Sequence, residues 1–583
     1  MILKAKIKEG WAALLILAVA AATRLTLLGM KPPHFDEGVN GWFVDQITHT
    51  GFYHYDPTNY HGPFHFYVLF LAQTLLGRHI WALRLPLALM SLATVALTLR
   101  FDRFIGRAAA LWAAAAMAVS PGCIFYGRYA IHEYWLVFSL MLCAWGLAGL
   151  WNGGERKYLW AVWIGLTGAV LTKETYVIHL AAFLLTVPCV WLLGVMSPAC
   201  PASLDAGRQE PSPDHWTAVD MTLGALVFFG CVVLFYSGGF MDLPGLKGLY
   251  QTFKAWAHTG KSGHGHEKPW IYWMQLFGRY EWPSCLGSLA ALSCAMPRTP
   301  RVLRELLLIG GGLALGYLGY PYFEEKVIHW SDVWPFLPML GAFLAAVLCV
   351  AQPPRFIRAL AIYGIGTLIA YSIIHYKTPW CVVSLTWPFL LLFGYGVDAA
   401  WRKCGTRIGR TGATLLVGGL AVLLLAGNLY FAVWLNFFHF TDAKQPYVYV
   451  QTFQSIDEVM NPLNALVARN PAESQISGHI LMESYHPLPW LLGDFPNIDY
   501  YDDNTSPPKM DAGFLMVDDS RTDEVEKALR EPYFTATLTL RDAQDPSKLY
   551  LNAKTFQSVF PGRKPDFIPG AKEVVPAPPA DAK

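Results

Sequence analysis

The feature that most constrains this chain is the alternation, from Trp11 to Trp434, of long apolar runs with clusters of lysine and arginine. Apolar runs of roughly 17–22 residues span a bilayer as helices, and the basic clusters between them mark the cytoplasmic side. Composition agrees, because 54% of the 583 residues are hydrophobic and only 15% are charged. Soluble domains carry about a quarter. The formal net charge of +2 excludes nothing by itself. The 10 cysteines are scattered through apolar segments without a CxxC pair, so they read as small hydrophobes, not as a zinc site or a disulfide framework.

Trp11–Gly29 follows Lys4, Lys6 and Lys8 and is too long for a signal core, so it reads as an uncleaved first span that delivers His34 outside. Phe64–Gly77 is only about 14 residues, which predicts a helix lying along the interface. Inward spans end at basic clusters: Leu85–Leu99 at Arg100, Arg103 and Arg107, and Trp135–Leu150 at Arg156 and Lys157. Ser284–Met296 ends at Arg298, Arg301 and Arg304, Val333–Val350 at Arg355 and Arg358, and Trp380–Ala400 at Arg402, Lys403, Arg407 and Arg410. Tyr176–Leu193 also runs inward, to the Pro/Ser-rich inside loop Ser197–Thr217. Ala108–Phe125, Leu159–Thr172, Val219–Gly238, Leu306–Tyr320, Arg358–Ile374 and Leu415–Trp434 return outward. About thirteen spans result. Counting Phe64–Gly77 as another would put the later arginines outside.

From Phe437 onward Asp, Asn and Pro become common. HILMES and GFLMVDD read as buried strands, and TDEVEKALRE as an amphipathic helix with acids in its first turn. The expected fold is therefore a polytopic all-α membrane domain over residues 1–436 and a small α/β domain outside the membrane over 437–568. A disordered Pro/Ala-rich tail, 569–583, follows. The chain has no fixed-period repeat, Walker loop, Rossmann glycine fingerprint or GxSxG. Nucleotide-driven transport, serine hydrolysis, a nucleotide cofactor and a nucleic-acid partner all lack support.

This topology sorts the polar residues onto one face. The outer loops, chiefly 30–84 and 239–281, hold Asp36, Glu37, His61, Arg128, Glu133, Lys173, Glu174, His264, His266, Glu267, Lys326 and Lys377. The stretch His34–Tyr67 alone packs two adjacent carboxylates and five histidines, more than a connector needs. Asp36 and Glu37 stand where a general base could meet an acceptor from outside, or where a helix start wants acids. YHGPFHF, with His61 and His65, opens the interfacial helix through a Gly-Pro turn. Arg128 and Glu133 in GRYAIHEYW are functional or a structural pair, since charge near the bilayer is costly. Lys173 and Glu174 in LTKETY could pair with each other, and Lys377 in HYKTPWC could hold a phosphate or snorkel. His264 and His266 could supply one or two metal ligands or belong to a flexible loop.

Together these residues resemble the GT-C glycosyltransferase superfamily: an outer DE loop, a Pro-turn interfacial helix, an R-x-A-x-x-acid junction, an L-T-K turn and a late span opening with lysine. The pattern is similar to the protein O-mannosyltransferase and aminoarabinose-transferase branch, family 39-like. Nearest is the prokaryotic group of flippase-activity-associated membrane proteins, which shares HFDE, YHGP, GH-H, KTPW and HPLPW (His486–Trp490).

The resemblance implies a polyprenyl-phosphate-linked sugar donor and transfer with inversion on the outer face of the plasma (inner) membrane. The acceptor would be a glycan, lipid or protein, and the C-terminal domain would lie outside. It makes Asp36 the base, with Glu37 beside it, and puts Glu133 where the family usually has a second aspartate. His61 falls near the donor phosphate or a metal, and Arg128, Lys173 and Lys377 near the phosphate. His264 and His266 fall where some relatives hold a divalent metal. Two other classes compete: a lipid-linked sugar transporter or flippase accessory, and a non-catalytic scaffold of the same fold. A transporter needs polar groups at mid-membrane depth and repeat symmetry, whereas these spans are apolar through their middles.

Overall fold

The computed structural model describes residues 2–196, 214–262, 265–295, 353–502 and 504–570. The chain divides into two compact units. The first holds the residues up to Gly29, Gln46–Phe440 and Gln445–Tyr447; the second holds Met30–Asp45, Thr441–Lys444 and the described residues from Val448 onward. Met30–Asp45, expected as part of the membrane domain's loop, thus groups with the carboxyl-terminal unit.

The helices in chain order are α1 (Ile2–Leu25), α2 (Phe35–Thr50), α3 (Phe64–Leu76), α4 (Ile80–Leu99), α5 (Asp102–Ile105), α6 (Arg107–Val119) and α7 (Pro121–Gly127). There follow α8 (Glu133–Asn152), α9 (Arg156–Val170), α10 (Tyr176–Met196), α11 (Ala218–Tyr236), α12 (Gly245–Ser262), α13 (Tyr272–Tyr280) and α14 (Trp282–Ala295). After the undescribed stretch come α15 (Arg355–Ile373), α16 (Val382–Ala413) and α17 (Gly419–Val433). Among the described residues five helical stretches are long and apolar enough to cross a membrane, and six if the bent pair α6–α7 is one span. This is an integral membrane protein. The expected spans Leu306–Tyr320 and Val333–Val350, with Lys326, lie outside the described residues. At 13 residues, α3 is shorter than a span. Pro379–Phe438 is continuous by helical hydrogen bonding but turns at Gly409, whose φ of 74° is open to glycine.

Close helix packing uses small side chains, as expected where lipid offers no hydrophobic drive for association. Alanine-rich α6 packs on α16, burying Ala109, Ala113 and Ala116, and α8 packs along α9. Among the described residues of this unit three arginines lie fully buried: Arg24, Arg84 and Arg128. Arg24 donates to the Met117 and Ala118 carbonyls at the end of α6, and Arg84 to the Leu28 carbonyl beyond α1. Cations there neutralise the negative ends of helices.

The second unit holds a five-stranded mixed sheet of β1 (Gly478–Leu481), β2 (Ile498–Tyr501), β3 (Phe514–Asp518), β4 (Tyr533–Leu538) and β5 (Ser547–Asn552) in the order β2-β1-β3-β5-β4. β1 runs parallel to β2 and β3, while β5 runs antiparallel to β3 and β4. Side chains alternate between two cores. Ile480, Phe514, Met516 and Phe534 face one side with Val459, Leu463 and Leu466 of α18 (Asp457–Arg469). Leu481, Leu515, Val517 and Tyr550 face the other with Val525 and Leu529. HILMES and GFLMVDD supply β1 and β3, and TDEVEKALRE supplies a helix, Thr522–Ala528.

Candidate active site

The first unit gathers a charged cluster around the turn between α9 and α10. Lys173 donates to Glu133, the first residue of α8, and the two side chains are 5% and 2% exposed. Cys381 Sγ lies 4.0 Å from the same ammonium. The next residue, Glu174, pairs elsewhere: its Oε2 lies 2.9 Å from His61 Nδ1, with Glu174 3% and His61 25% exposed. The mutual Lys173–Glu174 pair that adjacency suggested is thus replaced by two longer-range pairs. The Arg128–Glu133 pair is likewise absent, since Glu133 belongs to Lys173.

Backbone hydrogen bonds clip the two segments together. Gly62 N donates to Thr172 O and Phe64 N to Leu171 O, both at 3.1 Å. A Cβ on Gly62 would stand 2.2 Å from Leu171 O, so only glycine permits this approach. The neighbouring Tyr60 holds a left-handed φ of 46°, local strain of the kind found at functional sites.

Behind His61 stands a column of imidazoles. The His132 ring lies 4.3 Å from that of His61 and 4.0 Å from that of His65. Trp135 Nε1 donates to His65 Nδ1 at 3.0 Å, which fixes the proton of a neutral His65 on Nε2. Burial, then His65, His61 and Lys173, push His132 well below the usual range, so it stays neutral. Burial opposes both charged members of the α9–α10 turn, but their partners prevail. Cys381, Glu133 and Glu174 hold Lys173 well above the ordinary lysine range, and His61 with Lys173 holds Glu174 below the carboxylate range. One turn further, His179 bonds the hydroxyls of Tyr363 and Tyr371 at 2.8 and 3.1 Å.

Lys377 lies on the KTPWC segment that also carries Cys381. Its backbone N–H donates to His266 O at 3.1 Å, and its ammonium donates to the carbonyls of Lys268, at 3.2 Å, and Ile374. Burial pulls its pKa down. Neutral carbonyls do not cancel its charge.

The remaining expected residues lie elsewhere. Arg128 donates to the carbonyls of Thr23, Arg24, Thr26 and Leu27 and stacks on Phe437, so its guanidinium caps α1 and is not free for a phosphate. The His266 ring packs on Tyr376. His264 lies outside the described residues, and among the described residues no three His, Cys, Asp or Glu side chains converge as a metal needs.

Asp36 and Glu37 belong to the second unit. Glu37 is fully buried and accepts the His34 N–H at 2.9 Å, while His34 Nδ1 accepts the Asp36 N–H at 3.1 Å. This is a capping-box arrangement with histidine at the N-cap, its ring taking the N2 rather than the N3 N–H, and it commits Glu37 to the helix start. His34 Nε2 lies 2.8 Å from Tyr449 O and must carry the proton. With Nδ1 engaged as an acceptor, His34 offers no ring N–H to the Asp36 carboxylate 3.9 Å away. Asp36 keeps 36% of its side chain exposed.

Sequence reading missed the Glu174–His61 dyad and the part of His132. HEYW shows a histidine, but no local spacing reveals a ring packed at a tilt against partners some seventy residues away.

Residues 60–196, which contain this whole first-unit cluster apart from the KTPWC residues, match the profile of the dolichyl-phosphate-mannose-protein mannosyltransferase family. In structure the chain is similar to ArnT from Cupriavidus metallidurans bound to undecaprenyl phosphate, with a TM-score of 0.54 at 14% identity, covering 94% of this chain and 99% of that one. Against the apo state of the same enzyme the TM-score is 0.52 at 14% identity, covering 94% and 98%. The chain has the GT-C glycosyltransferase fold. No curated protein matches its sequence at a significant level. The family profile ends short of the carboxyl-terminal unit, but the structural likeness, which covers 94% of the chain, runs through it.

Proposed function

We propose that the protein is a membrane glycosyltransferase that moves a sugar from a polyprenyl-phosphate donor to an acceptor hydroxyl outside the plasma membrane, with inversion. The observation that carries this reading is the cluster of buried Lys173, Glu133 and Glu174 with half-buried His61, and Lys377 on the segment beside it, inside the GT-C fold. That the similar Cupriavidus enzyme holds undecaprenyl phosphate supports the donor class.

In this mechanism the acceptor oxygen attacks the anomeric carbon as Asp36 takes its proton. The bond from that carbon to the phosphate oxygen breaks, and its electron pair stays on the phosphate. Cations must stand where this charge develops. The Lys173 charge is shared with Glu133, so the phosphate draws first on Lys377 and on the exposed edge of His61. Glu174 holds His61 in place.

The test expresses Asp36→Asn and Lys377→Met in the native host and follows surface glycans and lipid-linked sugars by mass spectrometry. Asp36→Asn abolishes a glycan modification while its lipid-linked donor accumulates, and Lys377→Met needs more donor for the same flux. Unchanged glycans with normally inserted Asp36→Asn protein would overturn the reading.

A further inference from the structure

Two motifs that stand about 450 residues apart in sequence, HFDEGVNG and HPLPW, are packed into one body within the second unit. A Cβ on Gly38 would lie 2.3 Å from Pro487 Cβ, and one on Gly41 would lie 2.4 Å from the Trp490 ring. Gly38 and Gly41 are three apart, so they form one stripe on α2 into which Pro487 and Trp490 fit. The opposite end of the same contact is an arginine. Arg541, 4% exposed, donates to the carbonyls of His486 and Ser484 and to Ser484 Oγ, the last at 2.7 Å. Gln544 Nε2 donates to the Ser484 carbonyl as well, at 3.1 Å. The guanidinium lies 4.8 Å over the Phe35 ring, and Phe35 meets the His486 ring edge-on at 5.3 Å. Gln451 closes the other side by donating to Pro32 O at 3.0 Å.

We infer that the carboxyl-terminal unit is a holder for the general base, and that Arg541, Pro487 and Trp490 are positioning residues for Asp36. The inference rests on the reading of Asp36 as base, and it gives the second unit a part in the chemistry. Phe35 and Asp36 are adjacent at the start of α2, so whatever fixes the Phe35 ring fixes the direction in which the Asp36 carboxylate leaves the helix. Arg541 does so through the face of Phe35 and, through His486 and Ser484, by holding the loop that seats Gly38 and Gly41. It also lies within electrostatic reach of Asp36 and supplies a positive field there. His486 adds no charge at neutral pH, since burial and Arg541 press its pKa down to about 4. The neighbouring His34 uses Nδ1 to accept the Asp36 N–H and so turns no ring N–H towards the carboxylate. Arg541 is therefore the cation that acts on Asp36 from this loop system, and Asp518 is a second carboxylate within its electrostatic reach.

A displacement of about 1 Å in a reacting group costs on the order of 100-fold in rate, so loosening this contact should act on turnover more than on donor affinity. The test uses the full-length chain in the native host with glycan mass spectrometry, alongside Asp36→Asn. Gly38→Ala should cut the modification at least tenfold, and the added Pro487→Gly should restore much of it. Arg541→Met should cut it similarly, and Arg541→Lys should fall between the two. A second readout needs no substrate. In an Asp36→Cys chain, iodoacetamide labelling at position 36 is followed against pH by peptide mass spectrometry, with or without Arg541→Met. Loss of the cation should raise the pH at which the thiol reacts by at least half a unit, while Arg541→Lys should leave it near the parent. If Asp36→Asn keeps full glycosylation, the reading of Asp36 falls. If Asp36→Asn is inactive but Arg541→Met and Gly38→Ala keep parental glycosylation, and the labelling curve does not move, this inference falls alone.

Discussion

The pairing in the candidate site can be read by removing charges one at a time. Glu133→Gln leaves the Lys173 ammonium buried without its carboxylate. Both side chains are almost dry, 2% and 5% exposed, so solvent screens the orphan little. Breaking one partner of a buried pair costs about 3–5 kcal/mol. Lys173→Met removes the other charge and should cost a similar amount. In the double variant no charge is left stranded, so its loss should fall about 2 kcal/mol or more short of the sum. The control is the pair adjacent in sequence. Glu174 is committed to His61, so the Lys173→Met/Glu174→Gln cycle should couple by about 1 kcal/mol or less. Thermal midpoints of the detergent-solubilised full-length chain, read by fluorescence-detected size exclusion, rank the variants. A coupling at Lys173/Glu174 equal to that at Lys173/Glu133 would refute the crossed pairing, because the arrangement along the chain would then be the one in force.

Other consequences follow from the same geometry. Gly62→Ala forces a Cβ against Leu171 O and should break the clip that carries His61, costing about 1–3 kcal/mol and most of the activity, seen as a lower melting midpoint together with lost glycan transfer. His486 is held near pKa 4 in the folded chain, against about 6.5 unfolded. The unfolded state therefore takes the proton first, and this contribution is complete above about pH 6.5 and lost as pH falls towards 4. His486→Gln should flatten that limb, by at most about 3 kcal/mol, in unfolding midpoints measured across the range. Arg128→Lys loses the fork that reaches four carbonyls and should lower stability by about 2 kcal/mol or more. Donor KM measured on the surviving protein should stay unchanged.

The fold was legible where it depends on pattern. Apolar runs read as helices, and the period-two stretches of HILMES and GFLMVDD read as strands, because burial on a helix or sheet leaves that trace in a single segment. Which unit a segment joins leaves no such trace. Met30–Asp45 looks like the loop after a first span, yet the stripe of Gly38 and Gly41 that seats it on Pro487 and Trp490 cannot be told from ordinary loop glycines. Charge pairing was misjudged for the same reason. Adjacency in LTKETY suggests one ion pair, but consecutive residues of a tight turn diverge, so Lys173 and Glu174 each find a partner on another segment. Arg128 was conspicuous as a charge near the membrane, and nothing local shows that helix-end carbonyls are its partners.

The two carboxylates of HFDE read as a cap or as a catalytic pair from the residues alone, and only the family resemblance made Asp36 the base. Both the capping reading and the catalytic reading fit the motif; the structure commits Glu37 to the cap and leaves 36% of the Asp36 side chain exposed. Successive residues on a helix project about 100° apart, so Glu37 is buried while its neighbour Asp36 keeps solvent exposure. Glu37 closes the box by accepting the His34 N–H, and His34 stands where serine or threonine is usual, an N-cap that no standard pattern flags. The division makes a discriminating prediction. Glutamine closes a capping box as glutamate does, so Glu37→Gln should fold and keep glycan transfer within a few-fold. Glu37→Ala opens the box, costs about 1 kcal/mol and frees the first turn of α2, so transfer should drop although no reacting group has been touched. Asp36→Asn is the reverse case: stability is nearly kept and transfer is lost. Measured together by melting midpoint and glycan mass spectrometry, the three variants separate a cap from a base. A Glu37→Gln protein that melts normally but transfers nothing would put Glu37 back among the reacting groups and remove the capping account.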